Sequence, residues 1–232
     1  IIVMSVMNGF KTDLTKKIIG LNPHIVIQSN SFIINDKYIS QLKNKFNDIN
    51  ISKSFSGEAI IIGNDNAKGV ILKGISNNDK KSIKFLKKNI TSGDLNNFKK
   101  KQIFIGTELA YNLSLKAGDF ISLMSSAFVA TPLGNLPKQE SYKIAGTFNT
   151  GFVEFDQNIV FLEIEEVLSI FDKEKKDQNL EIYLKDPLKA NFYKEKIEKI
   201  NPNYFIYTWS DLNKSFFSAL KVERNVMFII LT

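Results

Sequence analysis

The sequence predicts an α+β chain of two lobes: a mixed α/β lobe built from discontinuous segments, with a mainly β lobe inserted into it. Three observations predict this. Strand–helix–strand patterns bracket the chain, one near His24–Leu72 and one near Leu180–Tyr207. The stretch between them, roughly 91–175, is dominated by short apolar runs. One connection inside that stretch, Ser125–Ser141, is far longer than the usual hairpin loop of about 2–5 residues.

The elements follow from local pattern. Phe10, Leu14 and Ile18 recur at helical spacing, Gly20 reads as the C′ residue, and Pro23 ends the run. His24–Gln28 reads as a strand, with His24 a surface residue at its end. Asp36 is placed to cap a helix running to about Phe46, with Ile39, Leu42 and Phe46 inward. Ala59–Ile62 and Val70–Leu72 form a hairpin around Gly63–Gly69, whose Asn and Asp residues tolerate positive φ. The Asn-Asp-Asn turn lacks the later ligands of a calcium loop. Ser76–Asn89 holds a turn or two of helix, and polar Thr91–Lys101 suits a lobe boundary.

Gln102–Ile105 is a strand, and Glu108–Leu113 a helix capped by Thr107. Phe120–Met124 and Tyr142–Phe148 are strands on either side of the long connection. Gly151–Asp156 reads as a loop and Asn158–Leu162 as a strand. Glu163–Phe171 is a helix with Val167, Leu168 and Phe171 inward, and Glu163, Glu165 and Glu166 favour its positive N-terminal end. Leu180–Leu184 is a strand, Asp186-Pro187 starts a helix to about Ile200, and Tyr204–Tyr207 is the last strand. Ser210 or Asp211 is placed to cap a final helix in which Leu212, Phe216 and Leu220 share a face.

The 232 residues include 44% hydrophobic and 24% charged positions, ordinary values for a globular chain. There is no cysteine and one histidine, which leaves little material for thiol, disulfide or histidine-based metal chemistry. The net charge of +7 is spread along the chain as scattered lysines and reads as solvated surface, not as a nucleic-acid footprint. No phosphate-binding loop, nucleophile elbow or H-E-x-x-H motif is present. No catalytic residue, metal ligand or cofactor is expected. The apolar runs Ile1–Met7 and Val226–Leu231 are shorter than the roughly 20 residues that span a bilayer and read as the cut ends of two membrane helices. Lysines and Arg224 beside these ends go against the positive-inside preference, which weakens for long translocated domains.

The long connection is the distinctive stretch. Phe128, Val129, Ala130, Leu133 and Leu136 make its tip apolar, and Pro132 and Pro137 remove amide donors and stiffen it. The sequence therefore predicts a semi-rigid protruding loop that does not pair as an ordinary strand. Three stretches carry a family resemblance. They are T-P-L-G-N-L-P at Thr131–Pro137 followed by Gln139 and a strand ending G-T-F, Val3–Ile27, and Trp209–Thr232. In these the chain resembles the LolC-type permease subunit of the lipoprotein-releasing ABC transporter, between its first two membrane helices.

That resemblance implies a MacB-like periplasmic domain with a mixed lobe near the membrane. It implies a stalk over 1–20, a Porter-like lobe of 21–90 and 176–208, and a Sabre-like lobe of 91–175 carrying the hook 125–141. A second stalk would run over 209–232. It further implies that Ala130, Thr131, Pro132, Leu133, Gly134, Asn135, Leu136 and Pro137, with Gln139, recruit a LolA-like periplasmic lipoprotein chaperone. Phe10, Leu14, Ile18, Leu212, Phe216 and Leu220 would form paired stalks. The implied partners are a second permease subunit, a LolD-like cytoplasmic ATPase, lipoprotein cargo and the inner membrane. The family's chaperone-contact pad bears arginines, whereas Ile121 and Glu140 stand at the matching positions here. The rival readings are a related permease domain of LolE, macrolide-efflux or cell-division type without a chaperone hook, and a membrane-tethered enzyme.

Overall fold

A computed structural model describes residues 9, 15, 19–20, 22–29, 32–63, 66–76, 80–95, 100–132, 134–215, 217–219, 222 and 226. The chain divides into two compact units. The first comprises 1–30, 34–51 and 180–232; the second comprises 31–33 and 52–179. The boundary thus falls after residue 51, where the sequence division draws it after 90. Among the described residues no helix is long and apolar enough to cross a membrane. The terminal runs Ile1–Met7 and Val226–Leu231 lie, apart from Val226, outside the described residues, as do the stalk positions Phe10, Leu14, Ile18, Phe216 and Leu220.

In the first unit, strand β1 (Ile25–Gln28) is flanked by two antiparallel partners, β9 (Asn179–Leu184) and β10 (Phe205–Thr208). Helices α1 (Asp36–Lys45) and α6 (Ala190–Glu198) supply Leu42 and Ile197 to a core shared with Ile25, Ile27, Ile182 and Trp209. Three local expectations change. Asn35 caps α1 in place of Asp36, accepting from the Tyr38 amide at 2.8 Å. Thr208 caps α7 (Trp209–Leu212), in place of Ser210 or Asp211, and closes a capping box with Asp211. His24 is buried rather than superficial. Its Nδ1 accepts from the Leu184 amide at 2.8 Å, and its carbonyl accepts from the Trp209 amide at 2.9 Å. Leu212, a predicted stalk residue, is exposed.

The second unit is a closed sheet. Strand β2 (Ile49–Ile62) pairs with β3 (Ala67–Ile75), which runs parallel to β8 (Ile159–Glu163). β8 pairs with β5 (Gln102–Gly106), which runs parallel to β7 (Gly134–Phe148). β7 pairs with β6 (Phe120–Thr131), and β6 returns to β2. The six strands form a ring, and closing a sheet on itself removes its edges. Alternation along β5 and β8 fills both faces. Ile103, Ile105, Val160, Leu162, Leu123 and Tyr142 share one cluster with Leu72 and Ile61. Phe104, Phe148 and Phe161 point the other way, into a second cluster with Leu86 of α2 (Lys80–Asn89). This two-faced burial explains why β5 and β8 read as continuous apolar runs instead of alternating ones.

Two stretches read as irregular are ordered. Ile90–Gly93 forms β4, added to β7, so the polar stretch from Thr91 is not a lobe boundary. Gly151–Asp156 is not a plain loop: α4 (Val153–Asn158) begins within it, held where the buried Asp156 carboxylate accepts from the Thr150 amide and, at 2.7 Å, from its hydroxyl. Helix α3 (Thr107–Asn112) starts at Thr107, with Gly106 as its N-cap. A Cβ at Gly106 would overlap the backbone carbonyl of Asp156, so only glycine lets α4 approach β5 here. Gly106→Ala is therefore expected to destabilise the chain by about 2 kcal/mol or more, because backbone rather than a mobile side chain must give way. Urea unfolding checks this: the midpoint should fall with the m-value unchanged.

Candidate functional site

The site grows out of the ring. β6 keeps its pairing with β2 only from Ser122 to Ser125. Beyond that point β6 and β7 are paired with each other, from Phe128 opposite Pro137 to Thr131 opposite Gly134. The connection read as an unpaired loop, Ser125–Ser141, is thus a two-stranded β-arm. Both strands of such a ribbon have a free side, where a missing proline N–H breaks no ladder bond. The arm is closed by the Thr131 hydroxyl, which donates to the Gly134 carbonyl at 2.7 Å, and by Gly134 at φ +115°. Leu133, a predicted hook residue, lies outside the described residues.

The described hook residues from Ala130 to Pro137 sit together on this arm, while Gln139 lies at its root, opposite Met124. Ala130, Pro132, Gly134, Asn135, Leu136, Pro137 and Gln139 are exposed and Thr131 is half-buried. Phe128, Val129 and Leu136 are 64, 46 and 51% exposed, an apolar concentration that the second unit's own core does not absorb. At the root lies an open groove of about 1010 Å³, apolar in lining, between Phe55, Ile60 and Ile71 on the ring and Met124, Phe128 and Pro137 on the arm.

The two pad positions differ from each other. Ile121 is buried in the ring's core and presents nothing to a partner. Glu140 is engaged inside the unit. Lys101 pairs with it, Lys138 lies 3.6 Å away, and the Tyr142 hydroxyl donates to it at 3.2 Å. Lys101 also reaches Glu166 of α5 (Ile164–Ile170) at 3.5 Å and stands over the Tyr142 ring. Burial raises the cost of ionising Glu140, but the Lys101 bond and charge, Tyr142 and Lys138 outweigh it and hold the carboxyl below its ordinary range. Burial likewise works against the Lys101 cation, and Glu140 and Glu166 lift it above its ordinary value.

Sequence reasoning missed Lys101, Lys138, Ser125 and Glu166 as a group. They come from four segments that only the fold brings together, and no local pattern marks them. Among the described residues no group of three His, Asp or Glu side chains could hold a metal ion. What this geometry offers is an apolar projection on an electrostatically fastened base.

Comparison with solved structures defines the fold class. The periplasmic region of MacB from Actinobacillus actinomycetemcomitans superposes with a TM-score of 0.51 at 11% identity, over 87% of this chain and 95% of that one. The extracellular domain of the noncanonical ABC-type transporter YknZ from Gram-positive bacteria gives 0.51 at 12% identity, over 79% and 99%. The chain therefore has the MacB-like periplasmic-domain fold. In sequence it is 23% identical to the lipoprotein-releasing system transmembrane protein LolC of Neisseria meningitidis, over all of this chain and 57% of the relative. It is 28% identical to the LolC protein of Buchnera aphidicola subsp. Schizaphis graminum, over 98% of this chain and 57% of the relative. No family model matches. These matches run along essentially the whole of this chain and, with the fold, liken it to the periplasmic domain of LolC-type permease subunits; the chain spans a little over half the length of these curated relatives.

The ion pairs make a testable statement about pH. A carboxyl held below its unfolded range stabilises the fold above that range and loses the contribution as pH falls through the folded value. Glu140→Gln is expected to lower stability by up to about 1 kcal/mol at neutral pH, as for a partly solvated pair. The difference from wild type should disappear in acid. Urea midpoints of both proteins between pH 7 and pH 3 check it; a constant difference would show that Glu140 does not act through its charge.

Proposed function

We propose that this chain is the periplasmic domain of an inner-membrane ABC transporter permease that releases lipoproteins. Its arm would recruit the periplasmic lipoprotein chaperone. The observation that carries the reading is the β-arm itself: a paired ribbon extending past the closed ring, with Phe128, Val129 and Leu136 exposed along it. An apolar anchor on a stiff ribbon loses little conformational entropy on docking, and it suits a partner whose own groove handles acyl chains. Ala130–Pro137 and Gln139 are the contact residues in this reading. The chain acts without catalysis of its own. A separate cytoplasmic ATPase drives the step, and a second permease subunit completes the membrane part. The terminal segments, with Phe10, Leu14, Ile18, Leu212, Phe216 and Leu220, serve as stalks that transmit motion.

A second reading has a specific observation in its favour. Ile121 is buried and Glu140 is already ion-paired, so neither matches the arginine-bearing pad that the resemblance implies. A mechanotransmission domain of the same fold, with an arm serving a different partner, would tolerate that loss.

Calorimetric titration of this chain with a periplasmic lipoprotein chaperone separates the two. Saturable binding is expected, reduced about 30-fold or more by Leu136→Asp or Val129→Asp, because truncated or charged anchors at a small interface typically cost 2 kcal/mol or more. Pro132→Ala and Pro137→Ala should weaken binding by smaller factors. A folded wild-type chain that does not bind would favour the second reading.

A further inference from the structure

We infer that Ser125 and Lys138 are positioning residues that aim the arm by clamping it to the C-terminal end of α5; the inference deepens the chaperone-docking reading and rests on it for its consequence. The register of the arm carries the argument. Met124 pairs with Gln139 and Phe128 with Pro137, so three residues, Ser125, Ser126 and Ala127, face the single residue Lys138. That is a β-bulge at the point where β6 leaves β2, and a bulge bends the strand that contains it. A two-stranded ribbon bent at its root is marginally stable and has no direction of its own.

Both sides of the bulge reach the same helix end. The Ser125 hydroxyl, buried, donates to the Ile170 carbonyl at 2.6 Å. Lys138 Nζ donates to the Ser169 carbonyl at 2.6 Å. These are carbonyls that a helix C-terminus leaves without intrahelical partners. The chain after α5 takes the two earlier ones: the Phe171 amide donates to Val167 and the Lys173 amide to Leu168. The arm supplies the missing donor at Ile170 and a second donor at Ser169, beside the Asp172 amide. A lysine there also meets the negative end of the helix dipole. The same Ser125 oxygen accepts from the Ala127 amide at 3.2 Å, which fixes the bulge from inside. At the other end of α5, Glu166 shares Lys101 with Glu140 of β7. Arm and helix are fastened at both ends of α5 and turn together.

The absence of cysteine makes a direct test available. Asn135→Cys at the arm tip and Glu165→Cys on the exposed face of α5 carry a pair of spin labels, and pulsed dipolar spectroscopy reads their distance distribution. The labelled wild type should give one narrow peak. Adding Ser125→Ala and Lys138→Met should lose it to a broad distribution, while Lys138→Arg should retain it. In parallel, the unlabelled double variant should bind the chaperone about tenfold more weakly, the scale of one lost charge-assisted hydrogen bond, with the apolar tip intact. A narrow peak in the double variant, or a broad one in wild type, overturns the clamp. A broad peak with unchanged chaperone affinity overturns the positioning role. Absence of wild-type binding sinks the docking reading instead and leaves the clamp to be judged by the distances. Lys138→Gln alone serves if the double variant does not fold.

Discussion

Closure of the six-stranded ring is the constraint on which the second unit depends. Every strand in it has two neighbours, so backbone groups inside are paired and both faces of β5 and β8 bury side chains. β7 is the strand where this matters most. Its C-terminal half, from Tyr142 to Phe148, is pinned between β5 on one edge and β6 and β4 on the other, and Tyr142, Ile144 and Phe148 are essentially inaccessible. Its N-terminal half overruns the ring and becomes one side of the arm. A projection rooted in this way inherits its footing from a core strand, which a surface loop of the same length could not do.

The ring also explains how charge is used near the arm. A closed sheet leaves the rim as the place where polar side chains gather. Glu140, Lys101, Lys138 and Glu166 meet there with nearly balanced charge. Lys101 reaches this position from a left-handed backbone conformation at φ 59°, immediately before β5, while its carbonyl accepts from the Lys143 amide. The side chain and main chain of one residue thus tie the entry of β5 to the exit of the arm.

Much of the fold was legible because its signals are local. Asp186-Pro187 marks a helix start that the structure keeps, with the Asp186 carboxylate accepting from the Leu188 amide at 3.1 Å. The acidic opening of α5, the helical faces of Val167 and Leu168, and the Ala59–Leu72 hairpin follow from spacing alone. Thr208-Trp209-Ser210-Asp211 fits a capping box, so the cap at Thr208 is readable from local pattern. Other features were not readable. His24 looks superficial until Leu184, 160 positions away, donates to its ring. The lobe boundary moved because β3 pairs with β8, and a parallel pairing across some 90 residues leaves no local trace.

The arm shows most plainly where sequence rules bend. Length and two prolines argued for an unpaired loop, and both arguments assume a strand with neighbours on each side. In a ribbon of two strands that assumption fails, and proline becomes compatible with pairing wherever its nitrogen faces outward. The same reasoning bears on the departure at Glu140. Where the resemblance implies a cation to greet a partner, this chain places an anion and commits two lysines to it. On the proposed docking reading, the apolar contacts open to a partner are at Phe128, Val129 and Leu136, while these charges hold the ribbon's root in place.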